Sequence, residues 1–265
     1  MTTSSNNSDR GLPIQPRGAD ATGSNLADAV RAWIESPAAA SRSGVEPRYF
    51  ASTLNMLPGV TLPLRSMLVG GVGAQDRQLL ISPVATHAEQ AALGAGPLTL
   101  LAPSLLHHLQ LQPAIERYRP VALWGPPGLA EKKPNLAPML TFGRDPWPYD
   151  DLLSYVVVEG APRRNEVVFF HRPSRTIYTA DLFFNLQQPQ GLLRSIPLRL
   201  MGVYRRFGVS KLWKRWVTDR AAFGRSLDQI LAWDFDRVVM SHGDPLDEHA
   251  HDRCEIALRE LALID

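Results

Sequence analysis

Four side chains of this 265-residue chain have the types and the setting to share one metal ion: His107, His108, Asp181 and His242. Each follows an apolar run. His107 and His108 come after Leu98-Thr-Leu-Leu-Ala-Pro and a Ser104-Leu-Leu link. Asp181 closes Thr176-Ile-Tyr-Thr-Ala, and His242 closes Arg237-Val-Val-Met-Ser, with Gly243 next. Apolar runs of this length read as buried strands, and ligands of layered α/β folds gather at the carboxyl ends of strands. Imidazoles with one carboxylate and an open position suit zinc, iron or manganese. Such an ion lowers the pKa of a bound water toward ~7 and polarises a phosphoryl or carbonyl oxygen.

A metal-free role accounts for the same residues in another way. The two histidines then cap a helix or bond within a loop. Asp181 accepts backbone N–H groups after its strand, and His242 braces it. The group is in that case a hydrogen-bonded brace between sheet edges. Neighbouring residues on a regular element point apart, so His107 and His108 share an ion only if the backbone turns between them.

The elements that must carry these residues alternate. Strands are expected at 66–70, 78–82, 98–102 and 121–124. Thr86-His-Ala-Glu89 is a capping box that opens a helix through Ala92. A short helix is expected over 114–119. Alternation of this kind predicts an α/β sheet. After a proline-rich crossing over 134–148 come strands at 154–158, 166–171 and 176–180, the last two forming a hairpin about Arg172-Pro-Ser-Arg175. Helical sequence is expected over about 192–231, a strand over 237–240, and a closing helix over 248–263. Residues 1–25, rich in Ser, Asn, Gly and Thr, read as a disordered tail. Residues 26–47 read as a helix and linker, and 48–265 as the folded domain.

The composition bounds the function classes. Hydrophobic residues make up 45% and charged residues 20%, with a formal net charge of +2, so no nucleic-acid footprint is visible. No apolar run is long enough for a transmembrane segment, and the N-terminus lacks the pattern of a signal peptide. A cytoplasmic protein is expected. The single cysteine, Cys254, sits in a helical pattern and reads as a packed thiol. His171, at a hairpin turn, reads as a surface residue. His87, His249 and His251 read as solvated, and Asp244 as a turn cap.

The segment 192–220 carries eight basic residues, among them Arg199, Arg205 and Arg206, with Tyr204, Phe207, Trp213 and Trp216 interleaved. Such a segment can line a pocket for a small anionic molecule, with those three arginines as substrate-binding candidates. It can also lie on an anionic membrane surface, or simply be a solvated basic face.

Together, Leu64-Arg-Ser-Met-Leu-Val, Leu80-Ile-Ser-Pro-Val, Ala102-Pro-Ser-Leu-Leu-His-His, Gly125-Pro-Pro-Gly-Leu, Ser174-Arg-Thr-Ile-Tyr-Thr-Ala-Asp-Leu and Ser241-His-Gly-Asp-Pro resemble the metallo-β-lactamase-like superfamily. Within it they resemble an uncharacterised branch known as a domain of unknown function. The resemblance spans about Tyr49 to Leu263. It implies an α/β (α+β) fold, a four-layer αβ/βα sandwich with the metal site at one edge of two sheets. It also implies a reduced site. The family's His-x-His-x-Asp-His motif is met by Pro103-Ser-Leu-Leu-His107-His108, so His108 matches the last histidine and His107 stands at the aspartate. The ligand histidine of a Gly-His-Thr-Pro-Gly turn is met by Ala161. Asp181 matches the bridging aspartate and His242 the last histidine. The resemblance therefore implies at most a mononuclear site of His108, Asp181 and His242, with His107 as a fourth ligand or supporting partner. It further implies that the helical insertion near 192–231 is a lid. The expected function is that of a metallo-hydrolase-like protein binding or hydrolysing a small anionic substrate. The alternative is a catalytically inactive binding or scaffold domain with a relic site.

Overall fold

The computed structural model describes residues 46–57, 60–72, 75–136, 138–187 and 195–260, with residues 55–57 and 60–61 described by backbone alone. The expected N-terminal tail and helix, most of the linker, residues 188–194 and the last turn expected of the closing helix lie outside the described residues.

The first half of the domain is a six-stranded sheet in sequence order. It comprises β1 (Arg48–Leu57), β2 (Val60–Val72), β3 (Arg77–Ile81), β4 (Leu98–Leu101), β5 (Ala122–Gly125) and β6 (Leu140–Thr141). The first three strands are antiparallel, and β3 to β6 are parallel. Parallel neighbours need crossovers, and α1 (His87–Ala92), α2 (Leu111–Tyr118) and α3 (Leu129–Lys132) supply them. The capping box opens α1 as the sequence reads. Thr86 Oγ1 accepts from Glu89 N at 3.2 Å. The Glu89 carboxylate, however, turns back to Val84 N and Ala85 N, and takes the hydroxyls of Ser66 and Tyr118.

The second half carries β7 (Leu153–Val157), β8 (Val167–His171) and β9 (Thr176–Thr179) as an antiparallel meander. A two-stranded ribbon, β10 (Phe184–Asn185) with β11 (Phe207–Gly208), follows. Strand β12 (Arg237–Met240) then joins β9 in parallel, giving the order β12-β9-β8-β7. The stretch read as one helical region is broken into α4 (Ile196–Met201), α5 (Trp213–Trp216) and α6 (Arg220–Leu231). Gly202, at φ 76°, takes the left-handed conformation that ends α4. The closing helix is α7 (Ala250–Glu260). No helix among the described residues is long and apolar enough to cross a membrane.

Side-chain alternation sets the layers. In the first sheet Leu68, Leu80, Leu100 and Leu123 pack on α2 and α3. In the second, Val168, Phe170, Ile177 and Met240 pack on Phe223 and Leu227 of α6 and on Cys254 and Leu258 of α7. Cys254 is a buried packing thiol, pushed up from its usual pKa by burial. The opposite faces meet each other. Phe142, just past β6, sits 5.3 Å from Trp124 of β5 and 5.4 Å from Phe169 of β8, ring to ring. The Tyr178 hydroxyl donates to the Arg65 carbonyl of β2 at 2.6 Å. Helices, sheet, sheet and helices thus form four layers, with the inner strands β3 and β8 buried on both faces.

Candidate metal centre

Strand register places two of the candidate residues side by side. Met240 pairs with Thr179 in the parallel β12–β9 ladder. His242 and Asp181 each lie two residues beyond that pair, at the carboxyl ends of adjacent strands. Asp181 is fixed by its backbone. The buried Glu166 carboxylate accepts the N–H groups of Ala180, Asp181 and Leu182 at 2.8, 2.9 and 3.1 Å. Trp213 Nε1 donates to the Asp181 carbonyl at 2.9 Å. The turn after His242 needs glycine. Gly243 sits at φ 129°, and a Cβ there would meet the Asn185 carbonyl oxygen at 2.3 Å. Arg65 Nη2 donates to the Gly243 carbonyl at 3.0 Å.

The third residue comes from the other sheet. Beyond β4 the chain turns at Ser104, whose hydroxyl accepts from Leu106 N and His107 N, both at 3.2 Å. Leu105 N donates to the Arg164 carbonyl at 2.9 Å, and Val167 N to the Pro103 carbonyl at 2.7 Å, which tie this loop to the second sheet. His107 Nε2 then lies 3.7 Å from Asp181 Oδ1, and His242 Nε2 lies 3.4 Å from the same oxygen. His107, Asp181 and His242 each bring one ligand atom into a group whose atoms lie within 4.8 Å of one another, the one such group of three among the described residues.

His108 stands outside this group. Consecutive side chains diverge here, and the turn aims His107 inward. The His108 ring lines the same cavity, its Nδ1 buried without a hydrogen-bond partner. Burial, then Lys132 and Lys133, push its pKa down. Arg199, Arg205 and Arg206 are exposed, and none lines the cavity over the triad. Arg199 stacks over Tyr204 at 4.4 Å and bonds Ser195 Oγ, while Arg206 pairs with Glu260. His171 was expected at the surface and is instead 1% exposed. The hairpin turn is short, and β8 is buried along its whole length.

Sequence reasoning missed the cation of the site. Arg164 Nη1 lies 3.5 Å from Asp181 Oδ2, and its guanidinium lies over the Trp216 ring, 3.2 Å from the centroid. Arg164 sits three residues past Ala161, a spacing that carries no signal of its own. It missed Glu166 as well, because a glutamate that opens an apolar strand reads as an edge residue. Burial alone would push the Asp181 carboxyl up. His107 and then His242 outweigh it and hold the group well below the usual carboxylate range. Behind it, burial and the Asp181 charge push Glu166 up.

Two imidazoles and one carboxylate suit one divalent ion by their chemistry. His242 Nδ1 lies 2.8 Å from the Pro63 carbonyl, an oxygen that can only accept, so Nδ1 carries the proton. In the neutral ring, Nε2 then turns a lone pair on a carboxylate oxygen. A divalent cation between the nitrogen and the carboxylate oxygen would satisfy both. A charge-assisted N–H···O bond would close to about 2.7–2.9 Å, shorter than the 3.4 and 3.7 Å seen here. A tetrahedral ion with bonds of about 2.0–2.2 Å sets its ligand atoms roughly 3.4 Å apart. His107 Nδ1, 3.1 Å from Ser82 Oγ, can donate to that hydroxyl in the same way.

No protein-family model matches the sequence, and no curated protein matches it. Solved structures do match the fold. The metallo-β-lactamase DIM-1 exposed to ceftazidime is 11% identical, with a TM-score of 0.54 over 81% of this chain and 93% of that one. The metallo-β-lactamase of Erythrobacter litoralis with β-mercaptoethanol in its active site is 16% identical, with a TM-score of 0.54 over 81% and 92%. The metal-soaked Flv1 flavodiiron core of Synechocystis sp. PCC6803 is 12% identical, with a TM-score of 0.52 over 82% of this chain and 59% of that one. The architecture is therefore the metallo-β-lactamase fold.

Proposed function

We propose that this chain is a metallo-hydrolase of the metallo-β-lactamase-like type, from the domain-of-unknown-function branch its motifs resemble, holding at most one divalent ion through His107, Asp181 and His242. The observation that carries this reading is the His242 Nε2 atom 3.4 Å from Asp181 Oδ1, with its other nitrogen 2.8 Å from the Pro63 carbonyl. Zinc, iron and manganese all suit the donors. When bound, the ion would lower the pKa of a water and polarise a carbonyl or phosphoryl oxygen.

The chain's own groups do the rest. Pro63 and Ser82 fix the two rings so that each presents Nε2. Arg164 stands beside the triad on a rigid indole, where it can hold an oxygen that gains negative charge. That guanidinium, rather than Arg199, Arg205 or Arg206, is the group that would meet an anionic oxygen of the substrate. The Arg164–Asp181 ion pair also favours the second reading, a binding domain whose relic site needs no ion.

Elemental analysis of the purified protein separates the two. The hydrolase reading expects about one ion per chain, lost in His242→Ala and retained in His171→Ala. Wild-type protein that is folded, metal-free and indifferent to chelators overturns it.

A further inference from the structure

The triad opens into a cavity of about 460 Å³, within the ordinary range of ligand pockets. Its polar groups form one connected patch. Ser82 lies 3.1 Å from His107, and His107, His242 and Arg164 lie 3.7, 3.4 and 3.5 Å from Asp181. The remaining walls are mostly apolar. Leu54, Leu62 and Leu64 come from the β1–β2 hairpin, and Met201, Leu212 and Trp216 from the segment 201–216. Leu106 and Leu109, 40% and 59% exposed, extend that apolar wall outward. The charged groups that line the cavity are Arg164 and Asp181, and they neutralise each other. Without an ion at the triad, a pocket of this kind offers a free anion no net attraction. It offers an aliphatic chain a surface from which water is displaced.

We propose that the cavity takes an aliphatic acyl group, with its carbonyl at the His107–Asp181–His242 patch beside Arg164 and its alkyl chain along Leu64, Met201 and Leu212. The substrate class is an acyl ester or amide of a medium-length fatty acid. Hydrolysis of the ester forms a bond between a water oxygen and the carbonyl carbon and breaks the acyl C–O bond. One proton of that water leaves on the alcohol. The chemistry rests on the hydrolase reading above, whereas binding of the acyl chain does not.

The binding arm uses chelator-treated protein and calorimetric titration with butanamide, hexanamide and octanamide, with succinate as the small-anion control. Each buried methylene contributes about 0.8 kcal/mol, so Kd should fall roughly fourfold per added methylene. Leu64→Asp and Leu212→Asp should each weaken octanamide binding at least tenfold. Affinity that is flat with chain length, or succinate binding tighter than octanamide, overturns the proposal. Should either variant fail to fold by circular dichroism, the wild-type series decides alone. The catalytic arm compares p-nitrophenyl octanoate with p-nitrophenyl acetate on metal-loaded protein. Chain-dependent amide binding without turnover of either ester sinks the hydrolase reading and leaves the acyl pocket standing. Equal turnover of both esters, with flat amide binding, sinks the pocket and leaves the hydrolase.

Discussion

The four-stranded sheet buries a histidine near each of its ends, and the two rings are used differently. His242 follows β12. Its Nδ1 meets a carbonyl, its Nε2 faces the Asp181 carboxylate, and the Phe184 ring stacks on it 5.4 Å away. His171 ends β8 at the opposite end of the strands, beside the start of β9. Its Nδ1 reaches Ser174 Oγ at 2.7 Å, and its Nε2 is buried with no hydrogen-bond partner. Burial alone drives the His171 pKa down to about 4. Burial is thus common to both and explains neither role. The ring at the carboxyl ends of β9 and β12 becomes part of a site because parallel strands deliver a carboxylate beside it. The ring at the other end meets only a turn.

The strongest way to break this contrast is to disorder the His242 end. Glu166 lies behind Asp181 and takes three backbone N–H groups that have no strand to pair with. Glu166→Ala leaves those buried donors unsatisfied. The charge it removes was itself costly to bury. The net loss expected is roughly 2–4 kcal/mol, read as a lower urea midpoint, and metal content should fall with it. A variant as stable as the wild type and fully loaded would show that strand register alone holds Asp181.

The His171 end predicts an acid-sensitive step. Its pKa is about 4 in the folded protein against an ordinary 6.5, so the unfolded chain takes the proton first. The contribution of this ring is fully present above pH 6.5 and drains as pH falls from 6.5 to about 4. The loss approaches about 3 kcal/mol at the acid end. Glu166, whose pKa is raised from 4.5, acts with the opposite sign as pH rises above that value. The measurement is therefore the difference between wild type and His171→Asn, which should lose only the part that belongs to the ring. Parallel stability curves from pH 7 to 4 would show that His171 is solvated after all.

Ser104 tests the loop that brings His107 from the other sheet to Asp181 and His242. Its hydroxyl holds Leu106 N and His107 N, as the Glu166 carboxylate holds the backbone around Asp181. Ser104→Ala should cost about 1 kcal/mol of stability and weaken metal binding roughly tenfold, read by competition with a coloured chelator. The same loop shows where the sequence stops being legible. Asp181 and His242 close apolar runs, and two parallel strands set them side by side, so patterning was enough to place them together. Alternation predicted the α/β sheet, and the resemblance carried by the motifs implied the four layers. The choice between His107 and His108 depended on one serine-made turn, which patterning does not see. Arg164 and Glu166 reach the site only through the tertiary meeting of the 103–107 and 164–167 loops, and no local signal marks that meeting. The basic residues of 199–206 looked like a pocket because charge is visible in a sequence and direction is not. Arg199 and Arg206 spend their charge on Tyr204 and Glu260, while the segment turns Met201 and Leu212 toward the cavity.

The smallest expected effect belongs to His108, and it sharpens the comparison most. The ring carries the same chemistry as His107, one residue away, and lines the same cavity. It lacks a carboxylate across from it. Its Nδ1 is buried without a partner, and its charged form is opposed first by burial and then by Lys132 and Lys133. A neutral imidazole with an unmet nitrogen contributes packing and little else. His108→Ala should therefore leave metal stoichiometry unchanged and shift stability by no more than about 0.5 kcal/mol, while His107→Ala should empty the site. Loss of metal in His108→Ala with retention in His107→Ala would reverse the assignment. It would mean that the turn at Ser104 presents the second ring in solution, and that position along the chain, rather than the direction set by Ser104, decides which histidine binds.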